Sequence, residues 1–138
     1  MHVRGIMSEK VQVARPDMTL QEVARIMSPN DVGALPVGEN DMLVGMITDR
    51  DIAVRAVAEG MPSETKVADV MSTEIKYCFD DQDVDDVLRN MSDVQVRRLP
   101  VVDREKRLVG IISLGGAATS HDVQATGEAL GGISQHAA

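Results

Sequence analysis

The stretch Gly45-Met46-Ile47-Thr48-Asp49-Arg50-Asp51 gathers the groups best suited to hold a nucleotide. An apolar, strand-like run ends at Thr48 and a helix is expected to begin at once. A helix start presents backbone N–H groups and partial positive charge, which favour phosphate. Thr48 adds a hydroxyl there and Arg50 a fixed positive charge. Asp51, three residues beyond Thr48, falls on nearly the same helix face. Its carboxylate can accept from two vicinal ribose hydroxyls. The same residues also fit a plainer role, in which Thr48 or Asp49 caps the helix and Asp51 complements its dipole.

No second constellation points to catalysis. His2, His121 and His136 lie toward the chain ends without Glu or Cys at metal-ligand spacing, so no metal site is expected. There is no nucleophile-elbow pattern and no Gly-rich phosphate loop. Cys78 sits in an apolar run with no neighbouring His, which predicts a buried, inert thiol. The pairs Asp80-Asp81 and Asp85-Asp86 fit helix N-terminal charges. The chain is therefore not expected to be an enzyme.

The elements that must carry these residues occur twice. Val32-Gly33-Ala34-Leu35-Pro36-Val37, then Leu43-Val44-Gly45-Met46-Ile47-Thr48, returns as Val96-Arg97-Arg98-Leu99-Pro100-Val101, then Leu108-Val109-Gly110-Ile111-Ile112-Ser113. In the first copy, residues 11–13 read as a strand. Thr19 and Glu22 form a capping box before the helical spacing of Leu20, Val23, Ala24 and Met27. Asn30-Asp31 breaks that helix. Residues 34–37 and 42–48 read as a hairpin, and a second helix through Ile52, Val54, Ala56, Val57 and Ala58 stops at Gly60. The second copy restates this order with strands at 75–79, 99–102 and 107–113. Asp83 stands for Thr19, and Val84, Val87, Leu88 and Met91 form the helix face. Gly115 and Gly116 weaken its last helix. Each unit thus reads β-α-β-β-α, and residues 62–66 read as the linker.

Gly-x-x-Thr/Ser after a Leu-Pro-Val strand, in two copies and followed by Asp in the first, resembles the CBS domain, of which a tandem pair is a Bateman module. The resemblance runs from about Ile6 to about Thr126, with Met7-Ser8 and Val70-Met71-Ser72 as further matches. It implies an α+β fold of two β-α-β-β-α CBS units related by a pseudo-two-fold axis and packed as one Bateman module. The boundaries are 7–63 and 71–126, with a flexible tail over 127–138. It also implies an adenosine compound (AMP, ADP, ATP, NAD or S-adenosylmethionine) in the cleft between copies, and regulation of a partner protein. By this resemblance Thr48 is the phosphate-side hydroxyl and Asp51 the ribose acceptor. Ala34, Leu35 and Pro36 form one wall, and Val11 to Val13 another. Arg97 or Arg98 reaches a phosphate from across the cleft. Ser113 keeps the hydroxyl in the second copy, but Gly116 stands where Asp51 would, so the two sites are expected to be unequal. The resemblance further implies a homodimer packed through helices; Val54, Ala58 and Ala117-Ala118 fit either such contacts or the internal core, and Val54 rather the core. The competing reading is a structural dimerisation or adapter module that has lost ligand binding, which Gly116 motivates.

Composition narrows the partners. The 138 residues are 43% hydrophobic and 26% charged, which reads as globular. A half of roughly 60 residues is marginal alone, so a shared core is expected. The net charge of −8 argues against nucleic acid and anionic membrane surfaces. No apolar run approaches the roughly 20 residues that span a bilayer, and no signal peptide is legible. A single cysteine permits no internal disulfide, consistent with the cytoplasm. Tyr77 and Phe79 are the only aromatics, so a planar ligand must be held by aliphatic groups. The nine methionines read as adaptable core filler, or in part as lining for such a ligand.

Overall fold

The computed structural model describes residues 1–115 and is mixed α+β. Gly116, Ala117-Ala118, His121, His136, the body of the last expected helix and the 127–138 tail lie outside the described residues. The chain forms two compact units. One is Gln12–Ile75; the other joins Met1–Val11 to the described residues from Lys76 on, up to Gly115.

In the Gln12–Ile75 unit the order is α1 (Leu20–Asn30), β1 (Ala34–Glu39), β2 (Met42–Thr48) and a helical segment over Asp51–Val57. Helix α1 starts where the Thr19 hydroxyl accepts from the Glu22 N–H at 3.1 Å, satisfying a donor the helix leaves open. It ends at Asp31, whose φ of 51° turns the chain so that Val32 N–H donates to the Met27 carbonyl at 3.2 Å. Leu20, Val23 and Met27 form its buried face, as their spacing predicts. Strands β1 and β2 pair antiparallel, with Ala34 opposite Thr48 and Leu35 opposite Ile47. Leu35, Val37 and Ile47 point into the core. In the Asp51–Val57 segment Ala58 N–H donates to Ala53, five residues back, so the coil is wider than an α-helix.

Two expectations are corrected. The strand over 11–13 is instead one parallel bridge at Ala14, whose N–H donates to Pro36 and whose carbonyl accepts from Gly38, both at 2.9 Å. Pro16, with no N–H, cannot extend that ladder. Residues 62–66 are not a bare linker. The Ser63 and Thr65 carbonyls accept from Gln21 and Leu20, at 3.1 and 2.9 Å, and so satisfy the open donors of α1.

The other unit repeats the plan. Strand β3 (Cys78–Phe79) pairs parallel with β4 (Arg98–Val102), which pairs antiparallel with β5 (Leu108–Ser113). Helix α2 (Val84–Val94) is capped by Asp83, whose carboxylate accepts from Asp85 N–H at 2.9 Å. It ends on Gln95 at φ 59°. Val84, Val87, Leu88, Met91, Leu99 and Ile112 share one core cluster.

A short strap crosses each hairpin. Ser72 and Met46 exchange both backbone hydrogen bonds, at 2.8 and 2.9 Å, and Ser8 and Ile111 do the same at 2.8 and 2.9 Å. The glycine beside each crossing makes room. A Cβ on Gly45 would lie 3.0 Å from the Ser72 carbonyl oxygen and 2.7 Å from Met71 Sδ. On Gly110 it would lie 2.8 Å from the Ser8 oxygen and 2.7 Å from Met7 Sδ. The compact units are therefore interleaved in sequence: Met7-Ser8 pack on the second hairpin, Met71-Ser72 on the first. Gly45→Ala and Gly110→Ala are each expected to cost about 1–3 kcal/mol by urea unfolding. Gly5→Ala, whose Cβ would meet only Met1 Cγ at 3.7 Å, is the control and should cost under about 1 kcal/mol. Equal effects at the three positions would contradict the packing argument.

Candidate functional site

Strand β2 delivers Thr48 to the start of the following helix, and the two candidate residues bind each other there. Thr48 Oγ1 accepts from Asp51 N–H at 3.0 Å, and Asp51 Oδ2 accepts from Thr48 N–H at 3.0 Å. This is a reciprocal capping box built with Asp. Asp49 N–H donates to the Gly33 carbonyl at 2.8 Å, and Arg50 N–H to Asp49 Oδ1 at 2.8 Å. All four N–H groups of residues 48–51 thus have partners within the chain. The chain's own oxygens occupy those donors, which is the plainer capping role that the sequence also allows. Asp51 Oδ1 makes no hydrogen bond within the described residues and remains an acceptor. Thr48 and Asp51 are half-buried, and Arg50 is exposed.

A cleft of about 510 Å³ opens beside this helix start. Ala24, Met27, Val32 and Ile52 supply apolar lining, and Ser28, Asp31, Gly33 and Asp49 the rest. The Asp49 carboxylate packs close to Gly33, its Oδ2 2.9 Å from where a Cβ would stand. Met27 is both a core side chain and part of this lining, so the two readings of the methionines meet in one residue.

Ala34 lies directly across the hairpin from Thr48. Leu35 and Pro36 are buried, and the Leu35 side chain belongs to the core. Val13 is half-buried against Gly38, its Cγ1 being 3.0 Å from where a Cβ would stand. These residues share the Gln12–Ile75 unit with Thr48, Arg50 and Asp51. Val11, Arg97, Arg98 and Ser113 belong to the other unit. There Arg98 stands opposite Ser113 as Ala34 stands opposite Thr48. Arg97 and Arg98 are both exposed. Asp31, Ser28 and Asp49 were not singled out as site residues by sequence. Asp49 lies between two that were, but nothing in spacing alone connects it to Gly33 or Asp31.

The aromatic pair has a structural task. Arg104 lies 4.2 Å over the Phe79 ring, and its Nε donates to Asp81 Oδ2 at 2.8 Å. That hydrogen bond holds the Asp81 carboxyl below the usual carboxylate range. Among the described residues no group of three or more His, Cys or carboxylate side chains converges to hold a metal, and no helix is long and apolar enough to cross a membrane.

A family model described as the CBS domain matches residues 3–57 and 67–116. The CBS domain-containing protein YhcV of Bacillus subtilis is 41% identical over 133 residues, covering 96% of this chain and 94% of the relative. Hypoxic response protein 1 of Mycobacterium tuberculosis is 38% identical over 112 residues, covering 80% and 78%. The crystal structure of Hypoxic Response Protein I, described with two coordinated zinc ions, superposes with a TM-score of 0.79 at 33% identity, covering 88% of this chain and 100% of the other. The CBS domain pair of protein MJ0100, in complex with 5′-methylthioadenosine and S-adenosyl-L-methionine, gives 0.73 at 28% identity, covering 86% and 94%.

Cys78 stands outside the constellation. It is 2% exposed, and burial, helped by the Asp80 carboxylate, pushes its thiol up to about 12. A raised value keeps the group a neutral thiol, and the thiolate is the reactive form. Folded protein at about pH 8 is expected to leave Cys78 unmodified by a disulfide reagent, with full reaction in urea. Rapid modification of the folded chain would contradict this placement.

Proposed function

Because the chain belongs to the CBS-domain family and carries two copies of that domain, we propose that it is a non-catalytic regulatory module that binds an adenosine compound and transmits the bound state to a partner protein. The observation that carries the reading is Asp51 Oδ1, a half-buried acceptor with no partner among the described residues, on a carboxylate whose other oxygen is held by the Thr48 N–H. A carboxylate so fixed suits a ribose diol. Ala34 across the hairpin offers small-residue access. Arg97 or Arg98 is the proposed charge toward a phosphate, and Ser113 the second copy's hydroxyl. The binding of 5′-methylthioadenosine and S-adenosyl-L-methionine by the MJ0100 pair supports the ligand class.

Output follows from linkage. A ligand that prefers one conformational state shifts the population, and partner binding changes ligand affinity by the same factor. The cytoplasm suits a chain whose single cysteine has no internal partner. The adapter reading is favoured by one fact: the Thr48 and Asp51 N–H groups are each taken by the other's side chain.

Thermal unfolding with a panel of adenosine compounds separates the two. A bound compound at about 100 times its dissociation constant should add roughly 2.7 kcal/mol. That shift should vanish in Asp51→Ala measured against its own ligand-free state. No shift with any member of the panel would leave the adapter. We further propose a homodimer packed through the Asp51–Val57 segment, where Val54 and Val57 are 48% and 67% exposed. Sedimentation should show Val57→Glu shifted toward monomer, and a monomeric parent chain would end this reading.

A further inference from the structure

The two hairpin straps share one chemical feature. Each carries a methionine just before its crossing serine, Met7-Ser8 and Met71-Ser72, and each methionine lays its sulfur on the glycine of its hairpin. Met7 places Sδ 2.7 Å and Cγ 3.0 Å from where a Cβ would stand on Gly110. Met71 places them 2.7 and 3.2 Å from the same point on Gly45. Both side chains pack against the apolar core cluster of their own unit. Both are half-buried, whereas Met27 and Met91 are buried and Met1 and Met61 are exposed. The sulfur in each strap is therefore held by shape alone, at the edge of the core.

We propose that Met7 and Met71 are sites of reversible oxidation by peroxide, and that a sulfoxide at either one releases its strap from the hairpin. With hydrogen peroxide, a sulfur lone pair attacks one peroxide oxygen. The O–O bond breaks, the S–O bond forms and water leaves; sulfur is oxidised by two electrons and the peroxide reduced by two. The product adds an atom and a strong dipole to the sulfur that must lie flat on a glycine. Gly45 and Gly110 have no side chain to donate to the new oxygen, and the adjoining cluster is apolar, so the seated sulfoxide loses the hydrogen bonds that water would give it. Moving it into water draws away the neighbouring serine, whose backbone forms the crossing. Ser72 holds Met46, two residues before Thr48, so release of that strap reaches the strand end that carries the candidate site. Methionine sulfoxide reductases return the thioether. No bound ligand is needed at any step.

The test is titration of the full chain with hydrogen peroxide, following each methionine by peptide mass mapping and each strap by amide hydrogen exchange. Met1 and Met61 are expected to oxidise first, Met7 and Met71 next, and Met27 and Met91 last. Chain with sulfoxide at positions 7 and 71 should exchange the Met46 and Ile111 amides at least about tenfold faster than untreated chain. Sulfoxide reductases acting on both epimers should restore the protection. Met7→Leu combined with Met71→Leu conserves volume and keeps every other methionine, and it should hold its protection through the same treatment. Met7 and Met71 oxidising no sooner than Met27 and Met91 overturns the assignment. So do sulfoxides at both positions without faster exchange, and so does equal loss of protection in the Leu variant. If the double variant does not fold, reversal in the parent decides: protection that stays lost after Met7 and Met71 are reduced overturns the switch.

Discussion

The strap that crosses each hairpin constrains everything else in its unit. Ser72 exchanges two backbone hydrogen bonds with Met46, and Ser8 with Ile111. The crossing is close enough to require no side chain at the neighbouring residue, which is why Gly45 and Gly110 stand where they do. Buried backbone donors must find partners, and here the partners come from a segment distant in sequence. Thr48 lies two residues past Met46 on the same strand. The contact that pins Met46 therefore also fixes where the strand delivers its terminal hydroxyl.

From that fixed point the chemistry follows from hydrogen-bond accounting. A helix start has donors to give, and here the side chains of Thr48, Asp49 and Asp51 and the Gly33 carbonyl take them. Two acids within four residues convert a general anion seat into a surface that accepts hydrogen bonds. The capping box also removes rotamer freedom from Asp51 before any ligand arrives, which lowers the ordering cost of binding. Arg50 projects outward and leaves that balance in place.

The duplicate unit keeps the frame and changes the fittings. Arg98 occupies the place of Ala34 opposite the strand-end hydroxyl, and Asp83 replaces Thr19 at the helix cap. Capping and core packing are conserved in kind between copies because both units must close the same helix-on-hairpin core. The residues flanking the hydroxyl carry no such burden and differ freely.

Period and punctuation made much of this legible. Helix α1 was readable from Thr19, Glu22 and the Leu20, Val23, Met27 stripe, and the hairpins from paired apolar runs around turn residues. Those are local properties of the chain. The duplication and its Leu-Pro-Val and Gly-x-x-Thr pattern likewise identified the family and singled out Thr48 and Asp51. The sequence by itself thus determined the kind of fold, its repeat and the place to look. Only the tertiary structure decided that Met7-Ser8 belongs with the second hairpin, that residues 63–65 close the start of α1, and that Asp31 and Asp49 line one cleft. Each of those depends on which distant backbone donor an oxygen meets, or on the space left by one glycine, and no spacing along the chain encodes either.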